Sequence, residues 1–314
     1  MRGRFSFPFR NGALLFRRPV RPADFSSRDI DPSPSDFRLA DGVLVINLDR
    51  RPERLAAFAA TAAQQPALRG WQRLAAVNGV DLPGFGKAPW FRQRNRDKCW
   101  AGRAGCVLSH RKALLHARDA GWERVLILED DARFAADFAA GLGVLNRRLG
   151  DPQLAWEVCY LGFTQPLGPC LKVAELGDQR ALYQLHGCAT THAYLVKREA
   201  YPWLIDQLPE ERTIWAWVAR HRAIDRWYAR HLSGRFTVVA VAPSLCGQDS
   251  DFSDIGQRDA GNTRAAEFYA GFPAAMVVRS SGRFGARRLQ RRTGVALEGW
   301  FDALRAIRKR WRGL

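Results

Sequence analysis

The sequence predicts an α/β fold with a mainly parallel central sheet, on three observations. Short apolar runs such as "VLVIN" (Val43–Asn47) and "VLIL" (Val125–Leu128) have the form of strands buried on both faces. Segments with helical apolar spacing alternate with these runs, as they do in βα units. The chain of 314 residues, 47% hydrophobic and 25% charged, has the length and mixture of one large globular domain or two small ones.

The elements follow in order. Residues 1–40 carry prolines at 8, 19, 22, 32 and 34 among serines and arginines, and read as a basic, mostly irregular arm. A strand is expected at Val43–Leu48. The helix after it has Pro52 in its first turn and Leu55, Phe58 and Ala62 on one face. "WQRLAAVNGV" (71–80) reads as a second strand, followed by the Gly/Pro-rich loop 81–90. A long helix is expected over 104–120, with Val107, Leu108, Leu114 and Leu115 on its core face and Gly121 ending it. The acidic strand follows at once, then a helix over 134–149 and a strand over 156–162. A β-rich stretch at 180–198, helices around 200–208 and 224–232, and a strand over 236–244 complete the regular part. The expected division is an arm (1–40), a central domain (41–258) and a basic tail with an amphipathic helix (259–314).

Charge is unevenly placed. Of the net +18, residues 1–40 contribute +4 and residues 279–314 contribute +9, leaving +5 for everything between. That distribution argues against a nucleic-acid-binding core and for basic ends that meet an anionic surface. In the tail, Leu297, Trp300, Phe301, Leu304, Ile307 and Trp311 share a helical face, with Arg305, Arg308, Lys309, Arg310 and Arg312 crowding its end. This is the pattern of a helix lying in a membrane interface; the same stripe could instead pack the helix on its own domain. No run is long and apolar enough to span a bilayer, and the N-terminus has no apolar h-region, so a cytoplasmic protein is expected. The six cysteines form no C-x-x-C pair and are expected as free thiols, without zinc.

The stretch "VLILEDDARF" (Val125–Phe134) holds the main functional question. Glu129, Asp130 and Asp131 stand side by side at the C-terminal end of a buried strand, where open α/β sheets place their ligands. Adjacent carboxylates repel unless a cation sits among them, and grouped oxygens suit Mg²⁺ or Mn²⁺. In an extended chain Glu129 and Asp131 would share one face and Asp130 the other. An acidic turn capping the next helix is the other reading.

Several segments fall into the order of one family. "VINLDRRPERL" (45–55), "AVNG" (76–79), "GCVLSH" (105–110) with "LILEDD" (126–131), and "APSLCGQDSDFSDI" (242–255) together resemble glycosyltransferase family 25, with weaker echoes at "CYLG" (159–162) and "HAYLV" (192–196). The family includes bacterial lipopolysaccharide glycosyltransferases and collagen galactosyltransferases. The resemblance covers roughly two thirds of the chain, about residues 43–256. It implies a GT-A-like fold, a UDP-sugar donor, a divalent metal (Mn²⁺ or Mg²⁺) and inverting transfer of a hexose such as galactose to a saccharide or glycolipid acceptor. In that frame Asp131, with Glu129, is the metal ligand set. Asn47, Arg50, Arg54, His110, Glu129, Asp130, Gln248, Ser253 and Asp254 are the nucleotide-sugar residues. Arg51 is a weaker candidate and Asp251 competes with Asp254. Asp225 in "RAIDRWY" is the implied base, with Trp227 and Tyr228 as a sugar-stacking platform. His186 and His192 read as structural. Ser109–His110 is not a nucleophile–base pair, because adjacent helical residues point apart.

One position departs from the family. Where it carries "GExGC", this sequence has "GRAGC", with Arg103 in place of the acid. A non-catalytic homologue that binds membranes or polyanions through its basic ends is therefore the alternative reading. Haloacid-dehalogenase-type phosphatases need a second Asp two residues after the nucleophile, which "DARF" lacks. A glycoside hydrolase would use two carboxylates without metal or nucleotide. The expected setting is the inner face of a bacterial plasma membrane, held peripherally, with no specific nucleic-acid partner.

Overall fold

A computed structural model of the protein describes residues 39–92, 97–177, 179–249 and 268–312, with only the backbone for 291, 292 and 312. The regular elements are β1 (Gly42–Asn47), α1 (Pro52–Ala62), β2 (Gln72–Ala75), α2 (Asp97–Asp119), β3 (Arg124–Glu129), β4 (Ala132–Phe134), α3 (Phe138–Leu149), β5 (Val158–Gly162), β6 (Cys170–Glu175), β7 (Ala181–Leu185), β8 (Ala193–Lys197), α4 (Tyr201–Gln207), α5 (Ile214–His221), α6 (Ile224–Arg235), β9 (Val238–Ala242), β10 (Cys246–Gln248), β11 (Val277–Val278) and α7 (Ser281–Arg312).

Nine strands form one sheet in the order β11-β6-β7-β9-β5-β8-β3-β1-β2. Pairings β1–β2, β1–β3, β5–β9 and β6–β11 are parallel, and β3–β8, β5–β8, β6–β7 and β7–β9 antiparallel. Only β7 and β8 are therefore reversed, and the other seven strands run one way, giving the mainly parallel α/β sheet expected from the sequence.

The apolar runs are explained by cover on both faces. Leu44, Ile46, Val125, Ile127, Tyr194 and Val196 point to a core closed by α2, α4, α5 and α6. Their neighbours Val43, Val45, Leu126, Leu128, Ala193 and Leu195 point to a second core with Phe58 of α1 and Phe138, Leu142 and Leu145 of α3. The period of two along each strand thus fills two cores at once.

Three local expectations are corrected. The segment after the acids is strand, not helix: β4 pairs antiparallel with β10, and the next helix begins only at Phe138. The acids therefore cap no helix. The helix α5 carries Trp215 and Trp217 and was not expected; its eight residues are too short for a clear period. The tail helix α7 begins at Ser281, so its regular part is much longer than the apolar stripe. Of the expected irregular arm, residues 1–38 lie outside the described residues, as do Asp251, Ser253 and Asp254. All six cysteines are free, four buried and two half-buried.

Candidate active site

The C-terminal ends of β1 and β3 open side by side, because the two strands are paired in parallel. A cavity of about 420 Å³ lies over them, lined by Arg50, Arg54, His110, Glu129, Asp130, Asp131 and Gln248 among others. The opposite wall is the loop 76–80 laid on α2. Two glycines permit that approach: a Cβ at Gly105 would collide with the Val77 carbonyl, and one at Gly79 with the Ala101 carbonyl. Ser109 fastens the contact, accepting from the Val77 N–H (2.8 Å) and donating to the Gly105 carbonyl (2.6 Å). The motifs "AVNG" and "GCVLSH" are therefore two halves of one wall, and Ser109 is a structural residue.

The acids do not alternate as an extended chain would place them. β3 ends at Glu129, and Asp130 and Asp131 sit in the turn before β4. Both aspartates consequently reach the same cation: Arg54 Nη2 lies 2.8 Å from Asp130 Oδ1 and 2.7 Å from Asp131 Oδ2. Glu129 turns the other way. Its Oε1 meets His110 Nε2 (3.1 Å) and accepts from Thr191 Oγ1 (3.0 Å), while His110 Nδ1 contacts the Tyr194 hydroxyl (2.8 Å). An ionised Glu129 accepts from His110 Nε2–H.

Asn47 is 1% exposed and its amide is committed. Its Nδ2 donates to Asp130 Oδ2 (2.7 Å) and to the Arg51 carbonyl (3.0 Å), and its Oδ1 accepts from Arg73 Nε (3.0 Å). It acts by holding Asp130. Gln248 reaches the site because β10 pairs with β4, and its Nε2 donates to Asp131 Oδ2 (3.1 Å).

Burial raises Asp130 to about 6, aided by the charges of Asp131 and Glu129 and opposed by Arg54 and Asn47. Asp131 is likewise raised, first by burial and then by Glu129. Burial also pushes Glu129 upward, but its bonds to His110 and Thr191 and the nearby His192 outweigh that and hold it below the ordinary glutamate value. His192 is buried and lowered by desolvation, and it contacts Thr190 Oγ1 (3.1 Å).

The donor set fits a hard divalent ion at one atom in particular. Asp131 Oδ1 is buried and has no hydrogen-bond partner, an expensive state for a carboxylate oxygen that a cation would relieve. Cys106 Sγ also stands with His110 and Glu129, their donor atoms within 4.8 Å of one another. That mixed set is softer than Mg²⁺ or Mn²⁺ prefers. Sequence reasoning missed Cys106 and Thr191, which only the packing of α2 and the 189–192 loop on β3 brings in.

Asp225 lies apart from this cavity. It sits in the first turn of α6 and lines a second cavity of about 700 Å³ with Gln165, Ala189, Arg226 and Glu298. The two sites meet through 190–191: the Thr190 N–H donates to Asp225 Oδ2 (3.3 Å) and the next residue bonds Glu129. The expected stacking platform is corrected. Trp227 and Tyr228 are 4% and 1% exposed, with Trp227 stacked on Trp203 and Tyr228 edge-on to Tyr194. Both are core residues: Trp227 falls on the far side of α6 from Asp225, and Tyr228, though near the Asp225 side, is covered by the Tyr194 ring. Arg103 makes no ion pair among the described residues. Its charge adds to those of Arg226 and Arg305 in lowering the pKa of Arg222, after burial.

The chain is similar to several known proteins. Procollagen galactosyltransferase 2 of Homo sapiens is 30% identical over 161 residues, 48% of this chain and 25% of that protein. Inactive glycosyltransferase 25 family member 3 of Homo sapiens is 35% identical over 136 residues, 40% of this chain and 22% of that protein. The matched segment thus spans about a quarter of the length of these relatives. Among solved structures, a glycosyltransferase involved in the glycosylation of the major capsid of PBCV-1 aligns with a TM-score of 0.34 at 10% identity, over 63% of this chain and 80% of that one. The family described as Glycosyltransferase family 25 (LPS biosynthesis protein) matches residues 40–214, and with more than half of its length inside that match the chain belongs to glycosyltransferase family 25.

Proposed function

We propose that the protein transfers a hexose, galactose foremost, from a UDP-sugar to a saccharide acceptor with inversion, in the synthesis of lipopolysaccharide or another surface glycan. The observation that carries the reading is the acidic turn Asp130–Asp131 at the mouth of two parallel strands, with Arg50 and Arg54 in the same cavity. Family membership supports glycosyl transfer, and the galactosyltransferase names of the relatives supply the sugar.

In this reading Asp131, through its unpartnered Oδ1, would hold a Mn²⁺ or Mg²⁺, with Glu129 as the further candidate ligand; the ion would supply positive charge against the leaving diphosphate. Asn47 and Gln248 hold Asp130 and Asp131 in place. Arg54 keeps the two aspartates ionised beside each other, and its guanidinium lies in the same cavity, where it can also pair with diphosphate oxygens. His110 and Thr191 keep Glu129 charged. The acceptor enters from the side of Asp225. Its hydroxyl oxygen forms the new bond to the anomeric carbon, the bond to the diphosphate breaks, UDP leaves with the electron pair, and Asp225 takes the hydroxyl proton.

Two observations favour a second reading, a binding protein without transfer: relatives named inactive, and Arg103 where the family has an acid. Calorimetric titration with UDP separates the two, run with Mn²⁺ and with EDTA on wild type and Asp131→Asn. Metal-dependent binding lost in the variant supports the donor site. Absence of UDP binding to folded wild type would end the UDP-sugar reading.

A further inference from the structure

The helix α7 is fastened to the domain by the face opposite its large apolar residues. Asp302 is buried and ion-paired to Arg230 of α6 and to Arg305. Ala306 packs against the core, and Lys309 donates to the Ala219 carbonyl (3.3 Å) and lies 4.8 Å over the Trp100 ring. At about 100° per residue, positions 300, 304, 307 and 311 fall roughly opposite 302, 306 and 309. Their exposure agrees: Trp300 61%, Leu304 44%, Ile307 55% and Trp311 83%, with Leu297 and Phe301 equally open beside them. A helix that needed its apolar stripe for its own domain would have turned it inward. This one spends an aspartate, an alanine and a lysine on docking and leaves the stripe facing out.

The surroundings of the stripe are basic. Arg308 and Arg310 stand on its two flanks. Arg305 pairs with the buried Asp302 at the seam where the helix meets the domain, and its charge, with those of Arg226 and Arg103, acts on Arg222. Arg222 holds a left-handed backbone, φ 72°, between α5 and α6, a strained conformation for a residue with a long side chain.

We propose that α7 seats the protein on an anionic lipid bilayer, the stripe from Leu297 to Trp311 entering the headgroup boundary and the arginines meeting lipid phosphates. Large aromatic and aliphatic side chains with cationic flanks match such an interface in both apolar and charged respects. A second copy of the same chain would set one basic collar against another, which charge opposes. The docking stands without the transferase reading; one consequence rests on it. Gly294, Val295 and Glu298 of α7 wall the cavity that holds Asp225, so the acceptor side lies behind the seated helix, one helix diameter (~10 Å) from the lipid surface and within reach of a lipid-borne saccharide.

The test is sedimentation of the full chain with vesicles of phosphatidylcholine alone or with about 30% phosphatidylglycerol, at low and high salt. Wild type is expected to bind the anionic vesicles at least tenfold more tightly than the neutral ones, and more weakly as salt rises. The combined variant Trp300→Ser, Leu304→Ser, Ile307→Ser should lose at least tenfold in binding with its melting temperature unchanged, since all three side chains are exposed. Failure of wild type to bind, or undiminished binding by the variant, would overturn the proposal. So would a lipid-free dimer of wild type that the variant dissolves, which would assign the stripe to self-association.

Discussion

Replacing Arg54 by methionine tests the internal cation of the acidic turn. The guanidinium contacts Asp130 at 2.8 Å and Asp131 at 2.7 Å, with side-chain exposures of only 16%, 9% and 16% for the three groups, so water screens the contacts little. Methionine keeps most of the side chain's packing and removes the charge. Deleting one member of a buried ion pair costs about 3–5 kcal/mol, because the other stays buried without compensation. Here two carboxylates are left, with Glu129 beside them, so the upper half of that range is expected at pH 8. Asp130 already titrates near 6 in the folded protein, above its unfolded value, and Arg54 is one of the groups that keep it from rising further. The native state therefore binds the extra proton as pH falls, so the deficit should grow as pH rises from about 6 towards the variant's own, higher Asp130 pKa, and shrink towards pH 5. Urea unfolding at pH 8 and pH 5 measures it. Saturating Mn²⁺ should stabilise the variant more than wild type, since the ion then meets no resident cation; a ligand at a hundred times its Kd adds about 2.7 kcal/mol. A loss below about 1 kcal/mol at pH 8, or the same loss at both pH values, would refute the assignment of Arg54 as the counter-ion of this turn.

Two more outcomes follow from the same site. Asp130→Asn removes the raised carboxyl, which in wild type costs stability as pH climbs from 4 to 8; relative to wild type the variant should gain up to about 3 kcal/mol over that interval, read from urea midpoints at each pH. Gly105→Ala puts a methyl into the Val77 carbonyl and should cost about 1–3 kcal/mol and weaken UDP binding severalfold by displacing the loop 76–79, whereas Gly143→Ala in α3, with open space around it, should be neutral or mildly stabilising.

Much of the site could be read from one dimension. Wholly apolar strands such as Val125–Leu128 can only be buried on both faces, and a parallel pair must open its ligand end on one side, so the acids at 129–131 were bound to stand at the C-terminal end of the sheet. Residues 47, 50, 54, 110 and 248 were legible as neighbours of those acids through the family's motif order, and the structure does gather them there. What the sequence could not give was partnership. Alternation along a strand set Asp130 against Asp131, but the turn before β4 puts both on Arg54, because a turn abandons the two-residue period. Trp227 and Tyr228 looked available beside Asp225; the rotation of α6, fixed by the stacking of Trp203 and the Tyr194 ring, buries them. The stripe on α7 was visible as a stripe, yet its direction was undetermined, since an amphipathic helix satisfies the same pattern whether it faces its own core or a surface. That choice was made by Asp302 finding Arg230 across the interface, a long-range ion pair between residues far apart in sequence and without any local signal.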